Sequence, residues 1–172
     1  RENENLIITN IETYLPDEVI TNKDLEEQFP EKFSSQKNDS TDRIFNLVGI
    51  KKRRTVSNKM TSTDMAEIAT KRLLEKTPVE KGEKVMYRVG TVLNEDQFPS
   101  VAAKVMERLE LTAEHGHHFE NDGFDIGAAC SGWTYGIHTV AAAMLARGYM
   151  AEIPYDKGVV ITSDTPTRIL GR

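Results

Sequence analysis

One stretch of the sequence, Phe124-Asp-Ile-Gly-Ala-Ala-Cys-Ser-Gly-Trp-Thr-Tyr135, joins a strand-like run to a long alanine-rich helix. Cys130, the only cysteine of the chain, lies at this junction. The first turn of a helix has backbone N–H groups without intrahelical partners, and they carry the positive end of the helix dipole. A thiol placed there is favoured as a thiolate and has hydrogen-bond donors nearby for an oxyanion. We therefore interpret Cys130 as a candidate nucleophile.

The same cysteine has a second interpretation, as an inert residue of the core, because free cysteine is among the most buried residue types. Two alanines precede Cys130, and Ser131 and Gly132 follow it. Small neighbours allow a bulky acyl group to approach the sulfur and let the backbone turn tightly into the helix. The residues alone leave both interpretations open.

The composition limits the classes of protein to consider. The 172 residues are enough for one domain with a sizeable core. A net charge of −5 without a basic stripe argues against a nucleic-acid partner. The densest positive patch, Lys51-Lys-Arg-Arg54, is consistent with a solvated turn or with a few phosphate contacts. No run has the length of a signal peptide or a membrane span, so we expect a cytoplasmic protein without a membrane partner.

Metal and disulfide chemistry have little support in the sequence. A single cysteine excludes an internal disulfide framework and a multi-cysteine metal site. His115, His117 and His118 fall in a hydrophilic segment without a carboxylate framework. We expect them to be surface residues and predict no metal site.

Strand and helix patterns alternate along the chain. We predict strands over Leu6–Tyr14, Lys84–Leu93, Gly123–Ala128 and Lys157–Ser163, and helices that begin near Thr21, Thr61, Ser100 and Ser131. The last strand is a continuous apolar run of the kind found in parallel sheets. The alternation predicts an α/β fold with layered helices, formed as one unit by residues 1–172.

Four motifs occur in the order and approximate spacing of a known family. They are Tyr14-Leu-Pro-Asp-Glu-Val-Ile-Thr-Asn22, Val48-Gly-Ile-Lys-Lys-Arg-Arg54, Phe98-Pro-Ser100, and residues 124–132 around the cysteine. The sequence resembles β-ketoacyl-acyl-carrier-protein synthase III, the priming condensing enzyme of fatty-acid synthesis in the thiolase-like superfamily. The resemblance covers nearly the whole chain. It implies a thiolase-like layered α/β fold, of which residues 1–172 form the N-terminal half of a duplicated α-β-α-β-α architecture.

The resemblance also implies roles for single residues. Cys130 matches the nucleophile that takes an acyl group from a thioester, usually acyl-CoA, before a decarboxylating condensation with malonyl-acyl carrier protein. Its backbone N–H would be one oxyanion-hole donor. Phe98 matches an aromatic residue that reaches into the acyl pocket of the neighbouring subunit in the family's homodimer. Arg168 matches an arginine at the entrance where the CoA nucleotide lies.

Both substrate-contact residues have an alternative interpretation. For Phe98 it is a core position, and for Arg168 it is a surface ion pair. The implied partners are an acyl carrier protein, an acyl-CoA or other acyl thioester, and a second copy of the chain. CoA and carrier thioesters would be substrates, so no bound cofactor is predicted.

Two features depart from the family's pattern. Arg43 and Leu47 stand where the family has a tryptophan and an arginine that sandwich the CoA adenine. Arg43 can still stack on a base or pair with a phosphate. A specialised condensing enzyme with a donor other than acetyl-CoA is therefore an alternative expectation. The histidine and asparagine that assist malonyl decarboxylation belong to the family's second half, and neither His138 nor any other histidine here lies in that context.

A lone half would expose apolar faces that pack on its twin in the family, and such surfaces seldom stay uncovered. We expect the second half to come from residues after Arg172 or from a second polypeptide. A truncated, inactive product is a third expectation. A non-catalytic half-domain that pairs with a catalytic partner is accordingly the alternative to an acyltransferase.

Overall fold

The computed structural model describes residues 6–33, 46–56, 59–117, 121–146 and 155–166. Arg43, Arg168 and His118 lie outside the described residues. The chain divides into two compact units, one formed by Arg1–Tyr14 and Met60–Pro166, the other by Leu15–Lys59 and Thr167–Arg172. Within the described ranges, no helix combines the length and the apolar character needed to cross a bilayer.

The smaller unit contains a short antiparallel strand pair. Its elements are β1 (Val19–Thr21), α1 (Asn22–Gln28), α2 (Pro30–Phe33) and β2 (Lys52–Arg54), with β1 paired to β2. Thr21 caps α1 as predicted, because its side chain accepts the N–H of Asp24 and the Asp24 carboxylate accepts the N–H of Thr21. These two reciprocal bonds form a capping box.

The basic run of the sequence becomes β2 of this unit. Arg53 Nη1 donates to Asn22 Oδ1 at 2.7 Å. Arg54 Nη1 donates to the carbonyls of Pro16 and Asp17 at 3.0 and 3.2 Å. Arg53 and Arg54 therefore bind protein groups that hold the unit together.

The larger unit is built on a three-stranded parallel sheet in the order β4-β3-β5. Its elements are α3 (Ser62–Lys76), β3 (Val85–Gly90), α4 (Val101–Arg108), β4 (Asp122–Ile126), α5 (Gly132–Leu145) and β5 (Lys157–Thr162), with 3-10 turns at Ala113–His115 and Ala129–Ser131. The α/β class and the parallel sheet are as predicted. Gly90 pairs with both Ile126 and Thr162, so the three strands end together at one edge.

The two faces of the sheet are covered differently. On one face the buried side chains of β3 pack against α3 and α4, and they form the core with Ala66, Val101, Val105, Val159 and Ile161. On the other face α5 buries the stripe Gly132, Gly136 and Val140. Its remaining surface leaves Trp133, Tyr135 and Leu145 exposed. This agrees with the expectation that the chain presents apolar surface.

The predicted opening strand over Leu6–Tyr14 is wrong, because residues 6–14 pair with no strand in the described chain. Groups on α3 and at its end hold this segment instead. Asn10 Nδ2 donates to Thr77 Oγ1 at 3.3 Å, Lys76 pairs with Glu12, and Arg72 Nη1 donates to the carbonyl of Thr13 at 3.0 Å. A segment with strand-forming residues becomes a strand only where the edge of a neighbouring strand pairs with its backbone.

Candidate functional site at the carboxyl edge of the sheet

Three loops leave the carboxyl edge of the parallel sheet, and two of them carry predicted site residues. The loop over residues 91–100 follows β3 and carries Phe98, and the loop over residues 127–131 follows β4 and carries Cys130. Residues 163–166 follow β5. Ligands of open parallel sheets bind outside the carboxyl ends of the strands. The structure therefore brings Cys130 and Phe98 to the edge where a ligand site is expected.

Cys130 lies in the 3-10 turn Ala129–Ser131 that leads into α5, and it is exposed. Among the described residues, the Cys130 thiol is therefore not part of the buried core. Ala129, directly before it, has φ +46°. A residue with a Cβ adopts this left-handed region at a cost of roughly 1–2 kcal/mol. Such strain persists where the surrounding structure holds it and is concentrated at functional sites.

The N-terminus of α5 differs from those of the other two helices in the unit. A side-chain oxygen of Thr61 caps α3, and one of Ser100 caps α4. Ser131, at the same position of α5, makes no side-chain cap hydrogen bond within the described residues. The N–H groups of Ser131 and Gly132 donate instead to the carbonyls of Ala128 and Ala129 inside the 3-10 turn. This leaves the backbone N–H of Cys130 itself as the donor for a developing negative charge on a bound carbonyl.

Backbone contact fixes the distance between α5 and the sheet. A Cβ added to Gly90 would lie 2.9 Å from Gly132 Cα, and a Cβ added to Gly132 would lie 3.0 Å from Gly90 Cα. One turn further, a Cβ on Gly136 would lie 2.5 Å from Val160 Cγ1. No side chain fits between β3 and the start of α5. The position of Cys130 relative to the sheet therefore depends on two facing glycines.

The substitution Gly90→Ala is expected to lower the free energy of unfolding by roughly 1–3 kcal/mol, as other overpacking changes do. It should also change the rate at which iodoacetamide alkylates Cys130, because the start of α5 must move to make room. Urea denaturation and alkylation kinetics measure the two effects. Gly127→Ala is the matched control, since nothing lies within 4 Å of the added Cβ. Equal effects of the two substitutions would contradict the role of the backbone contact.

Phe98 is 87% exposed on the loop over residues 91–100. In the described chain it does not fill the core, so that alternative is wrong. The start of its loop is held by Asp164, whose Oδ1 accepts the Thr91 hydroxyl at 3.0 Å and the N–H groups of Val92 and Leu93 at 2.9 and 3.2 Å. An exposed aromatic ring thus projects from an anchored loop.

Glu95, in the middle of the same loop, holds the loop to the N-terminus of α3. Its carboxylate accepts the Ser62 N–H at 2.8 Å, the Ser62 hydroxyl at 2.9 Å and the Thr63 hydroxyl at 2.9 Å. Burial alone would raise the pKa of Glu95, but the hydrogen bonds from Ser62 and Thr63 hold its pKa below the ordinary value. The ionised carboxylate is therefore part of the folded structure.

This lowered pKa predicts a loss of stability in acid. A carboxyl group with a depressed native pKa stabilises the fold fully above its unfolded pKa and loses that contribution as the pH falls through the native value. We expect the free energy of unfolding to fall between about pH 5 and pH 3, and to fall less in Glu95→Gln. Urea denaturation at both pH values tests this, with the exposed Glu107→Gln as control. A Glu95→Gln variant as acid-sensitive as the control would contradict the prediction.

None of the three carboxylates that anchor the loop, Glu95, Asp125 and Asp164, was a candidate functional residue from the sequence. Asp125 lies within a quoted motif, directly before the isoleucine, glycine and alanines that lead to Cys130. The signal for Asp125 in the sequence was therefore its charge, in a predicted strand that is followed by small residues.

No protein-family model matches the chain. Among curated proteins, it is similar to the β-ketoacyl-[acyl-carrier-protein] synthase III of Alkalilimnicola ehrlichii, with 38% identity over 92% of this chain and 43% of that protein. The corresponding protein of Geobacillus kaustophilus is 33% identical over 95% of this chain and 49% of its own length. The chain thus spans between two fifths and one half of the relatives that it matches.

Solved structures agree with these relatives. The 3-oxoacyl-[acyl-carrier-protein] synthase III from Aquifex aeolicus superposes with a TM-score of 0.68 at 29% identity, over 91% of this chain and 44% of that one. An OleA variant from Xanthomonas campestris gives a TM-score of 0.74 at 21% identity, over 94% of this chain and 44% of that one. The latter shows the fold alone. The chain is homologous to one half of β-ketoacyl-acyl-carrier-protein synthase III, a thiolase-like condensing enzyme.

Proposed function

We propose that Cys130 is the nucleophile of an acyltransferase similar to β-ketoacyl-acyl-carrier-protein synthase III. The observation that carries this proposal is an exposed thiol in a strained turn, at the start of a helix whose N-terminus has no side-chain cap within the described residues. A nucleophile of this kind needs access, a fixed position and donors for the oxyanion. The exposed thiol and the strained turn support the first two requirements, and the third is assigned to the backbone N–H of Cys130.

In the proposed step the sulfur of Cys130 attacks the carbonyl carbon of an acyl thioester. The carbonyl oxygen becomes an oxyanion that the backbone N–H of Cys130 would stabilise. Collapse of this intermediate breaks the carbon–sulfur bond of the donor and leaves a new thioester on Cys130. The proton lost by the Cys130 thiol is balanced by the proton that the departing thiolate takes up.

The decarboxylating condensation with malonyl-acyl carrier protein is the second part of the proposal. Its histidine and asparagine would come from the half of the family's architecture that this chain does not match. His138 is exposed on α5 two turns beyond Cys130, and we assign it no role as a base.

The proposed partners are an acyl carrier protein and a second copy of the chain, into whose acyl pocket Phe98 would reach. The exposure of Phe98 supports the homodimer. Burying a phenylalanine side chain on association is favourable by roughly 1.5–3 kcal/mol.

One observation favours a second candidate, a specialised condensing enzyme with a donor other than acetyl-CoA. Leu47 is 71% exposed and stands where the family has the arginine of the adenine clamp. A leucine can neither stack on a purine as a guanidinium does nor bind a phosphate. A carrier-bound or longer acyl donor fits this change.

The test is acyl transfer to the full protein from acetyl-CoA, from longer acyl-CoA donors and from acyl-carrier-protein thioesters. Intact-mass measurement should show one acyl adduct, and peptide mapping should place it on Cys130, with release by neutral hydroxylamine. An adduct from acetyl-CoA supports the priming enzyme, whereas adducts from the other donors alone support the second candidate. If no donor acylates Cys130 while iodoacetamide still alkylates it, the proposal is wrong and a non-catalytic half-domain is favoured.

A further inference from the structure

The carboxylate of Asp125 connects strand β4 to the end of the loop over residues 91–100. Its Oδ2 accepts the Val101 N–H at 2.8 Å, and its Oδ1 accepts the Ala102 N–H at 2.9 Å. Asn94 Nδ2 donates to Oδ2 at 3.2 Å. One side chain on β4 thus takes up the first two backbone donors of α4 together with a side chain from the loop.

The other end of the loop is bonded to the next residue of the same strand. Thr91 donates its N–H to the carbonyl of Ile126 at 3.2 Å. Asp125 and Ile126 therefore hold the two ends of the loop that carries Phe98. After β4 the chain continues through residues 127–129 to Cys130, five positions after Asp125.

We infer that Asp125 is a positioning residue that fixes the loop carrying Phe98. It so sets how Phe98 enters the acyl pocket of the second copy and which acyl chains that pocket accepts. The inference rests on the proposed function, because it assigns Phe98 to the acyl pocket. Among the three carboxylates that anchor the loop, Asp125 is the one on β4, the strand whose following loop carries the proposed nucleophile. Asp164 follows β5 and Glu95 reaches α3.

Asp125 and the glycine contact under α5 act on opposite faces of the sheet. Side chains alternate along a strand, so residues 123 and 125 share a face. A Cβ on Gly123 would meet Met106 and Ala102 of α4, which places this face on the side of α3 and α4. A change at Asp125 therefore leaves the contact between Gly90 and Gly132 in place. Phe98 should move while Cys130 stays.

The test compares Asp125→Asn with Asp96→Asn in the full protein. The amide in Asp125→Asn would keep the shape of the side chain but turn an NH₂ group toward a helix N–H, which removes one anchoring bond. Asp96 lies on the same loop, two residues before Phe98, but its carboxylate binds Lys104 at 2.8 Å instead of β4. Iodoacetamide alkylation measures the reactivity of Cys130 alone. Values of kcat/KM for a short and a long acyl donor measure the fit of the acyl chain.

For Asp125→Asn we expect alkylation within about twofold of the unmodified protein and a change of at least about fivefold in the ratio of the two kcat/KM values. Asp96→Asn should change neither quantity. An unchanged ratio, or a joint fall of alkylation and both kcat/KM values, would overturn the inference and leave the proposed function standing. Failure of every donor to acylate the unmodified protein would overturn both.

A second variant covers the case in which Asp125→Asn does not fold. Asn94→Asp places a second carboxylate beside Asp125 Oδ2 on an exposed part of the loop and leaves both helix N–H groups in place. Repulsion between the two carboxylates should shift the loop and change the same ratio. No change in this variant would overturn the inference.

Discussion

Replacing Cys130 with serine is expected to remove the acyl adduct and to lower the rate of acyl transfer by at least about 10³-fold. A serine hydroxyl is not ionised near neutral pH, whereas a cysteine supplies some thiolate and is intrinsically more nucleophilic. The thiol is exposed, so the substitution should change the free energy of unfolding by no more than about 0.5 kcal/mol. Intact-mass and initial-rate measurements with the best donor test the first effect, and urea denaturation tests the second.

The matched control is Ser131→Ala, one residue further along the same turn. Ser131 makes no side-chain cap hydrogen bond in the described part of the chain. Its loss should leave acyl transfer within about threefold. If Cys130→Ser keeps the adduct, the acyl group is on another residue and the proposed nucleophile is wrong.

The starts of α1, α3 and α4 could be predicted to within one or two residues because their signals are local. Thr61 and Asp64, three residues apart, form a capping box at the start of α3. Ser100 accepts the N–H of Ala103 at the start of α4 at 3.1 Å. Both bonds join residues that the sequence already places side by side on one turn.

The opening strand could not be predicted, because a strand depends on a distant partner. Residues 6–14 are rich in isoleucine and threonine, which favour strands. Their described contacts nevertheless include side chains more than 55 positions away, on α3 or directly after it. The β-propensity of these residues favours an extended backbone, but a strand also needs the edge of a neighbouring strand to pair with.

Phe98 and Cys130, the candidate site residues that stand out in the described chain, were predicted from motifs, and the structure adds the reason that they share an edge. Strands β3 and β4 are parallel and end in register, so the loops with Phe98 and Cys130 leave from the same side. The carboxylates that hold the first loop had no spacing signal. Asp164 lies 73 positions from Thr91, and Asp125 lies 24 positions from Val101.

A buried cation on β3 gives the prediction with the largest expected effect on stability. The side chain of Arg88 is 5% exposed and pairs with Asp122, whose side chain is 42% exposed. The Arg88 guanidinium also lies 3.9 Å from the centroid of the Phe124 ring and donates to the carbonyl of Tyr87 at 2.9 Å. Asp122 in turn accepts the hydroxyl of Tyr155.

The substitution Asp122→Ala is expected to lower the free energy of unfolding by roughly 2–4 kcal/mol, because it leaves a buried guanidinium without its carboxylate. Water reaches the exposed part of Asp122, which keeps the loss toward the lower end of the range for broken buried pairs. The double variant Arg88→Met with Asp122→Ala should recover most of the loss, since a methionine of similar length needs no partner there.

Urea denaturation of the two single variants and the double variant completes the cycle. Asp96→Ala is the control for a surface pair, because Asp96 is 62% exposed beside Lys104, and its loss should cost less than about 1 kcal/mol. A loss in Asp122→Ala no larger than this control would contradict the prediction. If the double variant remains as unstable as Asp122→Ala, the stabilisation comes from the bond between Asp122 and Tyr155 and not from the charge of Arg88.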